Sequence, residues 1–243
     1  MMAQSFLLGN RHASKGSGIV LKTPCIIINL KTYQQGYGKK GLELIKGLEK
    51  ASAGHKGQVA VAAATVDIKY FSEKGSLPVF SQHIDPVGFG AFTGHVLPEA
   101  VKEAGAVGTL INHSERRLTI ADIGAAVARC REVGLISCVC TNNVDTSAAV
   151  AALGPDFLAV EPPELIGGNI SVSSARPEII SGSVERVRTI NEKVKVLCGA
   201  GVKTWKDVAK AIELGSSGVL LASGVVTAKD VMAVMKDLLA GLE

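Results

Sequence analysis

Four polar side chains at the ends of apolar runs have types that suit acid–base chemistry on a small anionic substrate. Glu161 ends the run FLAVE and is followed by two prolines, which prevent the chain from continuing as strand or helix. His113 comes directly after GTLIN, while Asn29 ends CIIIN and Lys31 follows it two residues later. A carboxylate withdrawn from water can act as a general base, and an imidazole and an ammonium can stabilise negative charge on oxygen. We therefore treat these four residues as candidate catalytic groups.

Glycine-containing corners close two further apolar runs. VKVLCG leads into GAG at 199–201, and GVLLAS leads into ASG at 222–224. Glycine lets the main chain approach an anion closely, so N–H groups at such corners can bind phosphate. Each feature alone has an ordinary interpretation, as a solvated lysine, a packed histidine or a simple turn. Their joint occurrence after strand-like runs favours one shared site.

Eight apolar runs alternate with helical patterns and predict the elements that position these residues. The runs are CIIIN, QVAVAA, LPVFSQ, GTLIN, LISCVC, FLAVE, VKVLCG and GVLLAS. Continuous apolar strands separated by helices are typical of a parallel sheet covered by helices. The pattern predicts an α/β fold, a (β/α)₈ barrel whose functional residues gather at the carboxyl ends of the strands. An open doubly wound sheet is the alternative, disfavoured because no GxGxxG follows the first strand.

Apolar residues between the runs recur at helical spacing and predict helices with one buried stripe each. TWKD resembles a capping box, in which Thr204 caps a helix and Asp207 lies near its positive end. The predicted stripes are Leu44, Ile45 and Leu48; Ile123, Ala126, Val127 and Cys130; Val184, Val187 and Ile190; Val208, Ala209 and Ile212; and Val231, Val234, Met235, Leu238 and Leu239.

Composition and charge favour one large globular domain and exclude two classes of partner. The 243 residues carry a formal net charge of +4, and their Lys and Arg are scattered. No apolar run approaches the roughly 20 residues that cross a bilayer. No basic stripe with stacking aromatics suggests nucleic-acid binding. We expect residues 19–243 to form the catalytic barrel and residues 1–18 to be a disordered leader or tag-like extension.

The five cysteines predict free, buried thiols in a reducing cytoplasm. Their number is odd and no CxxC occurs. Cys130 lies on a predicted helix and the others lie in strand-like runs. Cys138 and Cys140 share a strand face, but no His or further Cys accompanies them, so no metal site is predicted.

The motifs at the strand ends resemble those of triosephosphate isomerases, specifically the compact archaeal type. NHSE within TLINHSERR and VEPPELIG within AVEPPELIG are the most specific. The other matching segments, in family order, are NLK (29–31), TGHVLPEA (93–100), CTNN (140–143), VLCGAG (196–201) and GVLLASGVV (218–226). The resemblance extends from Pro24 to the C-terminus.

This resemblance implies interconversion of D-glyceraldehyde 3-phosphate and dihydroxyacetone phosphate through an enediolate, in glycolysis and gluconeogenesis, without cofactor or metal. It implies that Glu161 is the base and His113 the electrophile. Lys31 offsets charge on the enediolate and the phosphate, and Asn29 orients Lys31 and contacts a substrate oxygen. The family is the known example of a glutamate base beside a neutral histidine near a helix N-terminus. A helix is accordingly expected to begin at Ser114.

The resemblance also implies a set of substrate-binding residues: Asn29, Leu30, Lys31, Ile166, Gly167, Gly201, Ala222 and Ser223. Main-chain N–H groups of the last three hold the phosphate, joined by Ile166 and Gly167 when a lid over 162–173 closes. The lid tip reads Gly167-Gly168-Asn169, where the family usually has Gly-Thr-Gly, which predicts a looser tip. Leu30 stands where an aromatic is common, and it is expected to pack away from Asn29 and Lys31.

GAFTG at 90–94 resembles the loop that family members project into a partner subunit. We therefore expect self-association, with a homotetramer favoured over a homodimer.

Two kinds of alternative function stay open on the sequence. Another phosphate-binding barrel is one, but a Schiff-base aldolase needs a lysine within a middle strand, where this chain has Glu161. A metal-dependent barrel needs several ligands at the rim, where this chain has only His113. A catalytically inactive barrel is the other, and the complete set of candidate catalytic residues argues against it.

Overall fold

The computed structural model describes residues 21–55, 57–165 and 171–243. Eight parallel strands in these ranges close into a barrel in chain order, with the first strand paired to both the second and the eighth. This confirms the predicted (β/α)₈ fold, and each predicted run overlaps one strand, although the fifth strand extends one residue beyond its run. The strands are β1 Cys25–Asn29, β2 Val59–Ala63, β3 Val79–Ser81, β4 Gly108–Ile111, β5 Ile136–Thr141, β6 Phe157–Val160, β7 Lys195–Gly199 and β8 Gly218–Leu221.

Helices connect and cover the strands. They are α1 Gly38–Ala51, α2 Ile68–Lys74, α3 Pro98–Glu103, α4 Ile120–Val133, α5 Val144–Ala151, α6 Val172–Ala175, α7 Pro177–Ile190, α8 Trp205–Glu213, α9 Ser223–Val226 and α10 Val231–Ala240, with 3₁₀ turns at Gln34–Gly36, Thr65–Asp67 and Pro163–Leu165. The capping box of Thr204 and Asp207 is confirmed at the start of α8. Ile190, assigned to the buried stripe of α7, is 40% exposed because it is the last residue of that helix. No helix in the described ranges is long and apolar enough to span a membrane.

The core has two layers, because alternate residues of a strand point to opposite faces. Ile26 and Ile28 of β1 face the helices, whereas Cys25 and Ile27 face the barrel interior. In β6, Phe157 and Ala159 face the interior. Asn29 and Glu161 continue these inward series by one step of two residues, which brings both to the mouth of the barrel.

All five cysteines are buried and free, as predicted. Cys138 and Cys140 lie together in the interior cluster, which confirms their shared face. The expected extension at 1–18 and the whole lid tip at 167–169 lie outside the described residues.

Candidate active site

One open cleft at the carboxyl ends of the strands brings together most of the residues singled out from the sequence. The predicted residues that line it are Asn29, Lys31, His113, Glu161, Gly201, Ala222 and Ser223. Leu30 is fully buried in the layer between barrel and helices, which agrees with the expectation that it packs away from Asn29 and Lys31. Ile166 and Gly167 fall outside the described ranges.

Glu161 is a buried carboxylate at the end of β6. Its main-chain N–H donates to the carbonyl of Thr141, 2.8 Å away, which extends the sheet contact by one residue. Oε2 has no hydrogen-bond donor among the described residues and lies 3.6 Å from Nε2 of His113. Burial raises the pKa of Glu161 to about 7, although a hydrogen bond from the Cys140 thiol and the charge of Lys31 act in the opposite direction. A carboxylate with such a pKa is a far stronger base than one in water.

His113 reaches the cleft because the chain bends sharply after β4. Asn112 has a left-handed backbone (φ 60°), stabilised by its own side chain. Its Nδ2 donates to the carbonyl of Cys140 at 2.9 Å, and its Oδ1 accepts from the N–H of Leu118 at 2.8 Å. By strand alternation alone, residue 113 would face the helices, since Leu110 faces the interior.

The helix predicted to begin at Ser114 is absent, so that expectation was wrong. A turn occupies this position, closed by the N–H of Arg116 on the carbonyl of His113, and α4 begins only at Ile120. The start of α4 is fixed by Thr119, whose side chain accepts from the N–H of Asp122. The cap at Thr119 is a stronger signal for a helix start than Ser114, which lies within the turn between His113 and Arg116.

The turn keeps the imidazole of His113 neutral. The N–H of Glu115 donates to Nδ1 of His113 at 3.2 Å, so Nδ1 has no proton and Nε2 carries it. Burial lowers the pKa of His113, the charge of Lys31 lowers it further, and Glu115 opposes both. The ring therefore presents Nε2–H to the cleft as a neutral donor.

Lys31 is held by contacts at both ends. Its backbone is left-handed (φ 47°), and its N–H donates to Oδ1 of Asn29 at 3.0 Å. Its Nζ pairs with Oε1 of Glu115 at 2.7 Å, and the Lys31 side chain is only 12% exposed. The ammonium is thus fixed in the cleft before substrate binds, as electrostatic stabilisation requires.

Two corners form the opposite wall of the cleft. Ala200 and Gly201 are both left-handed, with φ of 71° and 70°, and Ala222 has an irregular backbone just before α9. Asp207 fixes the first corner from behind, because its Oδ2 accepts from the N–H groups of Lys203 and Thr204. Ala200, Gly201, Ala222 and Ser223 all line the cleft, and irregular backbone of this kind can bind an anion through its N–H groups.

Sequence reasoning missed several neighbours of this site. Glu115 was interpreted as a helix residue but contacts both Lys31 and the His113 turn, and the NHSE motif was the available signal. Cys140 faces the barrel interior and lowers the pKa of the Glu161 carboxyl, and its inward position after Cys138 was the available signal. Tyr33 and Lys203 also line the cleft. Within the described part of the chain, no group of three or more His, Cys, Asp or Glu side chains is arranged to hold a metal ion.

Comparisons with known proteins agree on one family. Residues 24–238 match the sequence model of the family described as triosephosphate isomerase. A triosephosphate isomerase of Methanosarcina barkeri is 54% identical over 216 residues, which cover 89% of this chain and 97% of the relative. That of Methanothermus fervidus is 52% identical with the same coverage. That of Methanocaldococcus jannaschii is 51% identical over 88% of this chain and 98% of the relative.

Proposed function

The chain belongs to the triosephosphate isomerase family and interconverts D-glyceraldehyde 3-phosphate and dihydroxyacetone phosphate, and we propose which of its side chains carry out the proton transfers. The reaction is an aldose–ketose isomerisation through an enediolate and serves glycolysis and gluconeogenesis. A proton leaves the carbon beside the carbonyl and returns to the neighbouring carbon. Since a base and an electrophile suffice for this, the proposed mechanism uses no cofactor.

Glu161 is the base in this proposal. The main support is its Oε2, which is buried, lacks a described donor and lies beside the imidazole of His113. A carboxylate oxygen without a hydrogen-bond donor has its lone pairs free to take a proton from carbon. The pKa near 7 lets it accept that proton and release it again at neutral pH.

His113 polarises the substrate oxygens through Nε2–H. The support is the hydrogen bond from the N–H of Glu115 to Nδ1, which selects the tautomer. Lys31 stabilises negative charge on the enediolate and the phosphate, and Asn29 orients Lys31 through the bond to its N–H. Glu115 keeps the Lys31 ammonium in place.

The phosphate binds to main-chain N–H groups of Gly201, Ala222 and Ser223, with Ile166 and Gly167 completing the site. The left-handed corner at 200–201 supports this assignment. Leu30 acts through the backbone between Asn29 and Lys31, since its side chain is buried and its N–H donates to the carbonyl of Ala62.

Self-association, with a homotetramer favoured and a homodimer possible, is a second proposal. It is supported by the loop around GAFTG, where Phe89 and Phe92 are 79% and 44% exposed. Two exposed phenylalanines so close in sequence are typical of a surface that is covered in an assembly. We place the enzyme in the cytoplasm, which its five buried free thiols support.

A coupled assay tests the assignment of the base. Glyceraldehyde 3-phosphate is supplied with a chelator, and a reductase consumes the dihydroxyacetone phosphate. We expect full turnover with chelator present and a loss of at least about a hundredfold in Glu161→Gln. The matched control is Glu185→Gln, at an exposed position of α7, which leaves turnover unchanged. Undiminished activity of Glu161→Gln shows that the base is another group, and loss on chelation points to a metal-dependent barrel.

A further inference from the structure

Gly199 ends β7 directly beside Glu161, which follows the last residue of β6. Val160 is paired with Cys198 in the sheet, so the next residue of each strand lies side by side. Gly199 is not among the glycines with a left-handed backbone, whereas the nearby Gly201 is. The backbone conformation at 199 therefore does not itself require glycine, and the reason for glycine lies in the space around it.

That space is occupied by the side chain of Glu161. A methyl group on Gly199 would lie 2.4 Å from Cγ of Glu161 and 3.0 Å from both Cδ and Oε1. Carbon atoms in van der Waals contact are about 3.5–4.0 Å apart. The carboxylate has little room to move away, because Glu161 is buried and Nε2 of His113 lies 3.6 Å from its Oε2.

We propose that Gly199 is a positioning residue for the catalytic carboxylate. Because Gly199 has no side chain, the side chain of Glu161 can occupy that space and keep its distance from His113. This rests on the proposed role of Glu161 as the base. A side chain at 199 displaces the carboxylate from the substrate carbon. The phosphate corner at Gly201 and Ser223 keeps its own contacts.

The first test is Gly199→Ala, compared with Gly54→Ala. Gly54 is exposed, and a methyl group there meets no atom within 4 Å, so the control carries the same chemical change without a collision. We expect kcat of Gly199→Ala to fall by at least about tenfold, since proton transfer depends on a sub-ångström approach. The KM for glyceraldehyde 3-phosphate and the Ki for inorganic phosphate change less than about twofold. A kcat within twofold of the parent, or a parallel loss of phosphate affinity, refutes the proposal.

A double-mutant cycle on thermal stability tests the same contact without any activity. Glu161→Ala removes the atoms that collide with the new methyl group. We expect Gly199→Ala to lower Tm by about 4 °C or more in the parent chain, and by almost nothing in the Glu161→Ala background. Equal destabilisation in both backgrounds refutes the proposed contact between Gly199 and Glu161. If Gly199→Ala fails to fold alone but folds together with Glu161→Ala, the contact is supported. Because this cycle needs no turnover, it stands even if Glu161→Gln proves active and the base is reassigned.

Discussion

Oε2 of Glu161 lies 3.6 Å from Nε2 of His113, and both side chains are less than 10% exposed. Both residues line the same cleft, so a substrate bound there can meet the carboxylate and the imidazole together. The two groups do not form an ion pair, because the imidazole is neutral: its pKa is lowered, and its Nδ1 accepts from the N–H of Glu115.

The pH dependence of activity should report the Glu161 carboxyl. Only the ionised form accepts a proton, and burial raises its pKa from 4.5 to about 7. We expect kcat/KM, whose pH profile reports groups of the free enzyme, to fall as the pH drops through about 7 at constant ionic strength. An acid limb centred near 4.5 contradicts the assignment.

The same raised pKa predicts a stability cost at high pH. Between pH 4.5 and about 7 the folded protein holds a proton that the unfolded chain releases, so this group makes the protein less stable as the pH rises. Glu161→Gln removes the charge and with it a cost on the order of 3 kcal/mol. Its Tm relative to the parent should be higher at pH 8 than at pH 5, as measured by calorimetry. A difference independent of pH shows that the carboxyl titrates normally.

Lys31→Ala should raise KM and lower kcat together, because the ammonium contacts both the phosphate and the enediolate in the proposed mechanism. We expect kcat/KM to fall by about a hundredfold or more, a typical effect of removing one preorganised donor. Lys69→Ala is the control, since Lys69 is 74% exposed and its carboxylate partner is 4.0 Å away. A loss of Tm with unchanged kinetics would reduce Lys31 to a structural role.

Asp207 should contribute stability that acid removes. Burial by itself raises its pKa, but hydrogen bonds from Ser171, Lys203 and Thr204 outweigh burial and leave the pKa below its ordinary value. Asp207→Asn is therefore expected to cost about 1–2 kcal/mol at pH 7. The difference in the free energy of unfolding between variant and parent narrows as the pH falls below the ordinary value of 3.8 toward the depressed pKa of Asp207. Denaturant unfolding at pH 7 and pH 3.5 measures this free-energy difference, and an equal difference at both pH values contradicts the prediction.

The loop with Phe89 and Phe92 offers a test of self-association. If this loop lies in an interface, the double variant Phe89→Ser and Phe92→Ser should form a smaller species, with a lower molar mass measured by light scattering. Val66→Ser changes a side chain that is 88% exposed and should leave the mass as it is. An unchanged mass in the double variant places the interface elsewhere.

The sequence predicts the barrel and two of its active groups for a simple reason. Strand alternation carries Asn29 and Glu161 inward, and the runs of β-branched residues specify the strands themselves. Local signals also suffice at Thr204 and Asp207, whose capping box involves only four consecutive residues.

Other features depend on contacts that no local pattern contains. The direction of His113 depends on the left-handed Asn112, which is stabilised by the carbonyl of Cys140 across the neighbouring strand. The partner of Lys31 is 84 positions away in the chain. Gly199 looks like an ordinary turn glycine until Glu161 is seen in the space beside it.

The turn at 112–118 has a practical meaning for protein engineering. It supplies the imidazole, the amide that selects its tautomer and the carboxylate that steadies Lys31, and Asn112 and Leu118 close it as a loop. Anyone transplanting this chemistry onto another eight-stranded scaffold should therefore move the seven residues as one cassette. Grafting the histidine alone would import a ring without the means to aim it.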